Sequence, residues 1–353
     1  EAALDPVATG LARTPGARRH VLVGSHTDSV PHGGWLDGAL GVLIGLEIAR
    51  AQCEVKEDGD TGVAVVSFTD EEGRFGGVLG SRLFTGALSL SEAEAARDES
   101  GVSFAAARAA AGLEGTEIFT LTPAATLAYL EAHVEQGPTL ERAETPIGVV
   151  TGIAGIHHTR VNFKGRADHA GTTPMELRRD AVAAAARFID RFNARAGETW
   201  AGQAVWNVGG VRVVPGAFNV VPSASELLVE HRSAEPDVLA AIDALIAEIA
   251  ADASAAKDCS WQLDATTRIA PVGLDDAAAD AIAAAAADLD LGYRRMPSGA
   301  GHDAAALAPY VPSGMLFIPS IGGRSHTPEE DSDSADIVAG LRVVAQTVEG
   351  LLP

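Results

Sequence analysis

Five places along the chain set imidazole and carboxylate side chains where they could hydrolyse something. His26 and Asp28 sit one residue apart in Val23-Gly24-Ser25-His26-Thr27-Asp28, at the end of an apolar run. Asp37 follows in Gly33-Gly34-Trp35-Leu36-Asp37-Gly38. Asp70-Glu71-Glu72 closes a second apolar run, and His133 and His326 each come just after another. Nitrogen and carboxylate donors with no cysteine among them suit a borderline divalent cation such as zinc. On an extended segment His26 and Asp28 point the same way, so the Asp28 carboxylate is expected to hold the second imidazole nitrogen and fix the tautomer that binds metal. Asp37, in a turn that opens a helix, could bridge two ions; alone it would read as a helix cap. Three adjacent acids repel one another unless a cation or proton intervenes. One glutamate as ligand beside another as general base is the set of a two-metal hydrolase. Each histidine by itself would more often be structural. The weight comes from all five features recurring in order at strand ends, where open α/β sheets build their sites.

Those strand ends imply a particular scaffold. Residues 21–26 and 63–69 are continuous apolar runs of the kind buried in a parallel sheet. Between them, Leu40, Leu43, Ile44, Leu46 and Ile48 recur at helical spacing over 39–51, which makes a strand-helix-strand unit. A helix is predicted at 104–112 and a strand at 129–135. The texture changes near residue 157. An alternating strand to 164 is followed by a helix at 175–195 begun by Thr173-Pro174, then strands near 204–213 and 224–232, a helix from 236 to 255 and a strand at 260–269. That order is the split β-α-β pattern of a ferredoxin-like domain. The first texture then returns with helices at 275–288 and 335–351 and a strand at 315–319. The predicted fold is therefore α/β: a mainly parallel-sheet catalytic domain, residues 1–156 and 270–353, interrupted by an inserted α+β ferredoxin-like domain, 157–269.

Composition narrows the function. The 353 residues carry 26 basic and 48 acidic side chains, a formal net charge of −22, with 47% hydrophobic residues. Such acidity argues against nucleic acid and against anionic membrane surfaces as partners. Cys53 and Cys259 are the only cysteines, too few for a disulfide framework, so a reducing, cytoplasmic setting is expected. No apolar run approaches the ~20 residues of a membrane helix. The chain begins with Glu1 and reaches its first apolar run at Val21, which raises the expectation of a trimmed or missing leading segment.

Seven motifs carry a resemblance over nearly the whole chain. They are Gly24-Ser25-His26-Thr27-Asp28-Ser29-Val30, Phe68-Thr69-Asp70-Glu71-Glu72-Gly73-Arg74-Phe75, Gly80-Ser81, His133-Val134-Glu135-Gln136-Gly137-Pro138, His169-Ala170-Gly171-Thr172-Thr173-Pro174-Met175, Ser298-Gly299-Ala300-Gly301-His302-Asp303-Ala304 and Ser325-His326. Together they resemble the dinuclear metallohydrolases of the aminoacylase and carboxypeptidase clan, in its hydantoinase/carbamoylase amidase branch. That branch holds N-carbamoyl-L-amino-acid hydrolase, allantoate amidohydrolase and β-ureidopropionase. The resemblance implies two divalent metals per subunit, zinc first, with manganese, cobalt or nickel as alternatives. His26, Asp37 and His133 would hold one ion, and Asp37, Glu72 and His326 the other. Glu71 would be the general base acting on a hydroxide shared by the ions, with Asp28 supporting catalysis. From the insert, His169 would polarise the scissile carbonyl or stabilise the oxyanion, in its own or the partner subunit, Arg232 would pair with the substrate carboxylate, and Asn219 would bind the carboxylate or the ureido group, with Gln136 at the ureido end. The implied substrate is a small ureido-carboxylate, an N-carbamoyl-L-amino acid ahead of allantoate, β-ureido acids, or the dipeptides and acylated amino acids of the wider clan. The insert would also serve as lid and as the contact of a homodimer.

Overall fold

The computed structural model describes residues 2–55 and 60–353. It divides into two compact units, Glu1–Ile153 with Gly273–Pro353, and Ala154–Val272. The first contains strands β1 (Ala2–Leu4), β2 (Gly10–Arg13), β3 (Arg19–His26), β4 (Thr61–Phe68), β5 (Thr126–Val134) and β6 (Ile147–Ile153). The second contains β7 (Gly155–Lys164), β8 (Val205–Val214), β9 (Ala224–Ser233) and β10 (Ser260–Ile269). Then β11 (Val272–Gly273), β12 (Tyr293–Ser298) and β13 (Ser313–Ile318) return to the first sheet.

That sheet runs β1-β2-β4-β3-β5-β13-β6-β11, with β12 also on β6. Its centre is parallel: β3 pairs with β4 and β5, and β5 with β13. The period-two geometry of a strand sends neighbouring residues to opposite faces. Val21 and Val23 pack with Leu40, Ile44, Ile48, Ile282 and Val343 on one side, while Leu22 joins Val66, Phe68, Tyr129 and Phe317 on the other. Both faces are covered, which explains the uninterrupted apolar runs. The helix Ala39–Val55 corrects its predicted buried stripe: Leu43 and Leu46 are exposed, and Gly41 and Gly45 face the sheet instead. A methyl group at Gly41 would stand 2.5 Å from the Ala132 carbonyl oxygen, so helix and sheet approach closely only because that residue is glycine.

The Ala154–Val272 unit is an antiparallel sheet in the order β10-β7-β9-β8, with strands and helices in the sequence β-α-β-β-α-β, the split pattern of a ferredoxin-like domain. Helices Ala181–Trp200 and Pro236–Ala255 bury Phe188, Phe192, Ile242, Ile246 and Ile249 against Phe163, Leu227 and Val229. The stacked Phe188 and Phe192 rings, 5.6 Å apart, add ~0.5–1.5 kcal/mol beyond their buried area. The first helix starts later than predicted. Asp180, not Thr173, caps it by accepting from the Val182 and Ala183 N–H groups, and Pro174 leads only into the short turn Met175–Leu177. No helix among the described residues is long and apolar enough to cross a membrane.

Candidate metal centre

Because β3, β4, β5 and β13 run parallel, their carboxyl ends share one edge of the sheet. His26 is the last residue of β3 and lies opposite Phe68, two residues before Asp70. His133 lies opposite Phe317 near the end of β13. Asp37 precedes the helix Ala39–Val55, and His326 sits on the loop that follows β13. Asp70, Gln136 and His326 all take positive φ, at 53°, 57° and 56°, a conformation that costs most non-glycine residues energy and gathers at functional sites. Gly38 (φ 67°) also has no room for a side chain: a β-carbon there would lie 2.4 Å from His26 Nε2.

Two triads of donors form around Asp37. His26, Asp37 and His133 make one, and Asp37, Glu72 and His326 the other, each with its ligand atoms within 4.8 Å of one another. Asp37 Oδ1 lies 2.9 Å from His133 Nε2 and 3.6 Å from His26 Nε2. Asp37 Oδ2 lies 3.3 Å from His326 Nε2, which is 3.5 Å from Glu72 Oε2. Both buried imidazoles hold their second nitrogen against the main chain: His26 Nδ1 on the Asp28 carbonyl at 3.0 Å, His133 Nδ1 on the Val134 carbonyl at 2.8 Å. A proton kept on Nδ1 leaves Nε2 as the ligating nitrogen. The expected role of the Asp28 carboxylate is thereby corrected. It stands 3.8 Å from His26 Nδ1 and instead accepts from the Glu71 and Glu72 N–H groups at 3.3 and 3.1 Å, bracing the acidic loop.

The electrostatics favour a cation. Burial, and then the charges of Asp303, Glu131, Glu72 and Asp37, push Glu71 up to about 10. Burial and the Asp37 charge also raise Glu72, whose Oε1 is buried without a hydrogen-bond partner among the described residues. Burial opposes ionisation of Asp37 too, but the His133 hydrogen bond and the His133 and His26 charges outweigh it and hold Asp37 far below the usual range. Burial alone would push His133 down; the hydrogen bond and charge of Asp37, with Glu131 behind, raise it to about 9. A crowd of carboxylates held partly neutral, an orphaned carboxylate oxygen and pre-set imidazole tautomers fit divalent cations bound through nitrogen and oxygen.

The remaining predicted residues are placed as follows. Glu71 Oε2 is 3.7 Å from His26 Nε2. Gln136 donates from Nε2 to Asp37 Oδ2 at 2.9 Å, and its Oε1 is buried with no partner among the described residues. His169, Asn219 and Arg232 lie in the Ala154–Val272 unit. His169 is exposed and its Nδ1 accepts from the Gly171 N–H at 3.0 Å, which puts the ring proton on Nε2. Asn219 is exposed, with its carbonyl receiving the Ala170 N–H. Arg232 Nε donates to Glu230 at 2.8 Å.

Two acids that escaped the sequence reading complete the centre. Glu131, fully enclosed, accepts from Ser25 Oγ and the Ala304 N–H. Glu330 accepts at Oε1 from the Leu36 and Asp37 N–H groups, at 3.1 and 2.9 Å, and at Oε2 from Ser325 Oγ at 2.6 Å. It ties the Asp37 turn to the His326 loop. Glu330→Gln should lower metal affinity ~10–100-fold, the usual cost of an outer-shell partner, and leave the fold intact; metal titration with far-UV circular dichroism would show it. Unchanged affinity would reduce Glu330 to loop packing.

The model of peptidase family M20/M25/M40 matches residues 22–350. An N-carbamoyl-L-amino acid amidohydrolase of Geobacillus stearothermophilus is 40% identical over 333 residues, covering 93% of this chain and 80% of that protein. An allantoate amidohydrolase of Bacillus subtilis is 32% identical over 350 residues, covering 98% and 84%. The crystal structure of an amidase of the hydantoinase/carbamoylase family from Burkholderia phymatum superposes with a TM-score of 0.91 at 39% identity, covering 99% of this chain and 87% of that one. With its fold, its paired donor triads and a match reaching almost from end to end, this chain belongs to peptidase family M20/M25/M40.

Proposed function

We propose that this protein is a metal-dependent amidohydrolase that cleaves the carbamoyl C–N bond of N-carbamoyl-L-amino acids. The observation that carries the reading is one carboxylate, Asp37, shared between two donor triads with Glu71 beside them, in a chain whose relatives include N-carbamoyl-L-amino-acid amidohydrolases. The centre binds divalent metal. That it takes two ions, zinc foremost, is supported by its paired N/O donor sets.

His26, His133 and Asp37 would hold one ion, and Asp37, Glu72 and His326 the other; bound there, the ions supply positive charge that polarises the scissile carbonyl and acidifies water. Glu71 takes the proton of the attacking water at Oε2 and returns it to the leaving nitrogen as the C–N bond breaks. The products are the amino acid and carbamic acid, which falls to ammonia and carbon dioxide. Asp28 keeps Glu71 in position through its backbone N–H. Gln136 Oε1, buried without a partner among the described residues, suits the NH2 of a carbamoyl group, which an acetyl group lacks. His169, with its proton on Nε2, can donate to the oxyanion, an interaction worth ~3–4 kcal/mol at comparable sites. Arg232 offers a planar fork to the substrate carboxylate, and exposed Asn219 a neutral amide. The Ala154–Val272 unit would be lid and dimer contact; support comes from the edge strand β8, with Val205, Val211 and Val214 exposed. The two unpaired thiols suit a reducing cytoplasm.

Allantoate is the second reading, on the strength of the Bacillus subtilis relative. The test is ammonia or amine release by metal-loaded protein from N-carbamoyl-L-amino acids, allantoate, N-carbamoyl-β-alanine, N-acetyl-L-amino acids and a dipeptide. The expected order puts the N-carbamoyl-L-amino acids first. A preference for the dipeptide or the N-acetyl compounds would overturn the reading.

A further inference from the structure

The Ala154–Val272 unit brings together a set of metal-type donors of its own. His157 on β7 and His231 on β9 are directly paired in the antiparallel register, so their side chains leave the same face of the sheet as close neighbours, with ring centroids 5.1 Å apart. Asp243, on the helix Pro236–Ala255, meets both. Its Oδ2 lies 2.9 Å from His157 Nδ1 and its Oδ1 3.5 Å from His231 Nε2. One donor atom from each of the three lies within 4.8 Å of the others. We propose that His157, His231 and Asp243 form a further divalent-metal site, which takes a zinc-type ion and clamps the helix to the sheet.

Two imidazoles and one carboxylate favour zinc over magnesium or calcium, which prefer all-oxygen shells. Each donor stands on a strand or helix, the kind of support that holds ligand geometry. His231 has no exposed side-chain surface. His157 and Asp243 are 14% and 29% exposed, which leaves an approach for the ion and for water as a remaining ligand. Arg268 Nη2 sits 3.2 Å from Asp243 Oδ1 and leaves Oδ2 for the ion. A carboxylate serving only as counter-ion to Arg268 would account for Asp243, but not for two opposed imidazoles with one fully enclosed. His231 Nε2 lies 3.3 Å from the Leu239 carbonyl oxygen, and Nδ1 has no partner among the described residues. Ligation moves the proton to an unbraced nitrogen, so affinity should be ~10–100-fold below that of a fully braced site.

The test counts zinc bound by the full chain across chelator-buffered free zinc concentrations, for wild type, His157→Ala and Asp243→Asn. Wild type should bind one equivalent more than either variant at the upper end of the range. Because the result is a difference, it stands whatever number of ions the Asp37 centre takes and whatever its substrate. Equal zinc content in all three proteins would overturn the proposal. Melting in chelator checks the fold of each variant; should His157→Ala unfold, Asp243→Asn, which keeps an acceptor for Arg268, decides the outcome.

Discussion

Glu71→Gln should reduce kcat by ~10²–10⁴-fold, the usual contribution of a positioned general base, and leave the metal content unchanged. The side chain is 10% exposed, with Oε2 3.7 Å from His26 Nε2. Its neighbours are acids: burial and the charges of Asp303, Glu131, Glu72 and Asp37 push it up to about 10 when no cation balances them. Positive charge brought to the adjacent triads draws that value back toward neutrality, where a carboxylate can both take and return a proton. Glutamine keeps the size and loses the titrating oxygen. The loop itself should stay in place, since Asp28 holds it through the Glu71 and Glu72 backbone N–H groups, which the substitution leaves alone. Steady-state kinetics with metal analysis on the same sample checks both halves. Activity within a few-fold of wild type would put the base elsewhere, and loss of an ion would make Glu71 a ligand.

The chemistry was legible because parallel strands end at one edge and the donors sit just past those ends. His26, His133 and Asp70-Glu71-Glu72 each follow an apolar run, and the registers of β3 with β4 and of β5 with β13 bring those runs level. The supports were illegible because they act across long sequence separations. Glu330 is 293 residues from the Asp37 N–H it accepts, and Glu131 is 173 from Ala304; each looks like any acid in a loop or strand. Asp28 misled for a local reason: alternation predicts the side a carboxylate leaves from, but the backbone carbonyl reached His26 first. The helix Ala39–Val55 shows the limit of hydrophobic spacing. Its buried face is built partly from Gly41 and Gly45, which no apolar count registers, while Leu43 and Leu46 lie exposed. Strand β12, Tyr293–Ser298, is mostly exposed with two arginines, so it carried neither alternation nor an apolar run.

Asp37→Ala should remove both ions at concentrations that saturate the wild type, whereas Glu72→Ala should remove only one. The asymmetry follows from geometry: Oδ1 of Asp37 serves the triad with His26 and His133, and Oδ2 the triad with His326 and Glu72. The same carboxylate keeps His133 protonated in the ion-free chain. Burial favours the neutral ring, but the hydrogen bond to Asp37 and the Asp37 charge carry it up to about 9. A ligand must give up its proton, so ion uptake near pH 7 should release a proton from His133, and affinity should rise as pH climbs toward 9. Without Asp37 the buried imidazolium would be unpaired, at a cost of ~3–5 kcal/mol for a broken buried pair. It should therefore become neutral, and any residual binding should lose that proton release. Equilibrium dialysis against graded metal, with proton release followed in weak buffer, measures both effects. If Asp37→Ala held both ions at wild-type affinity, no shared carboxylate would join the triads. If it held one, Asp37 would belong to a single triad, and the crowd of raised carboxylates would have to be balanced through Glu72 or Glu71 alone.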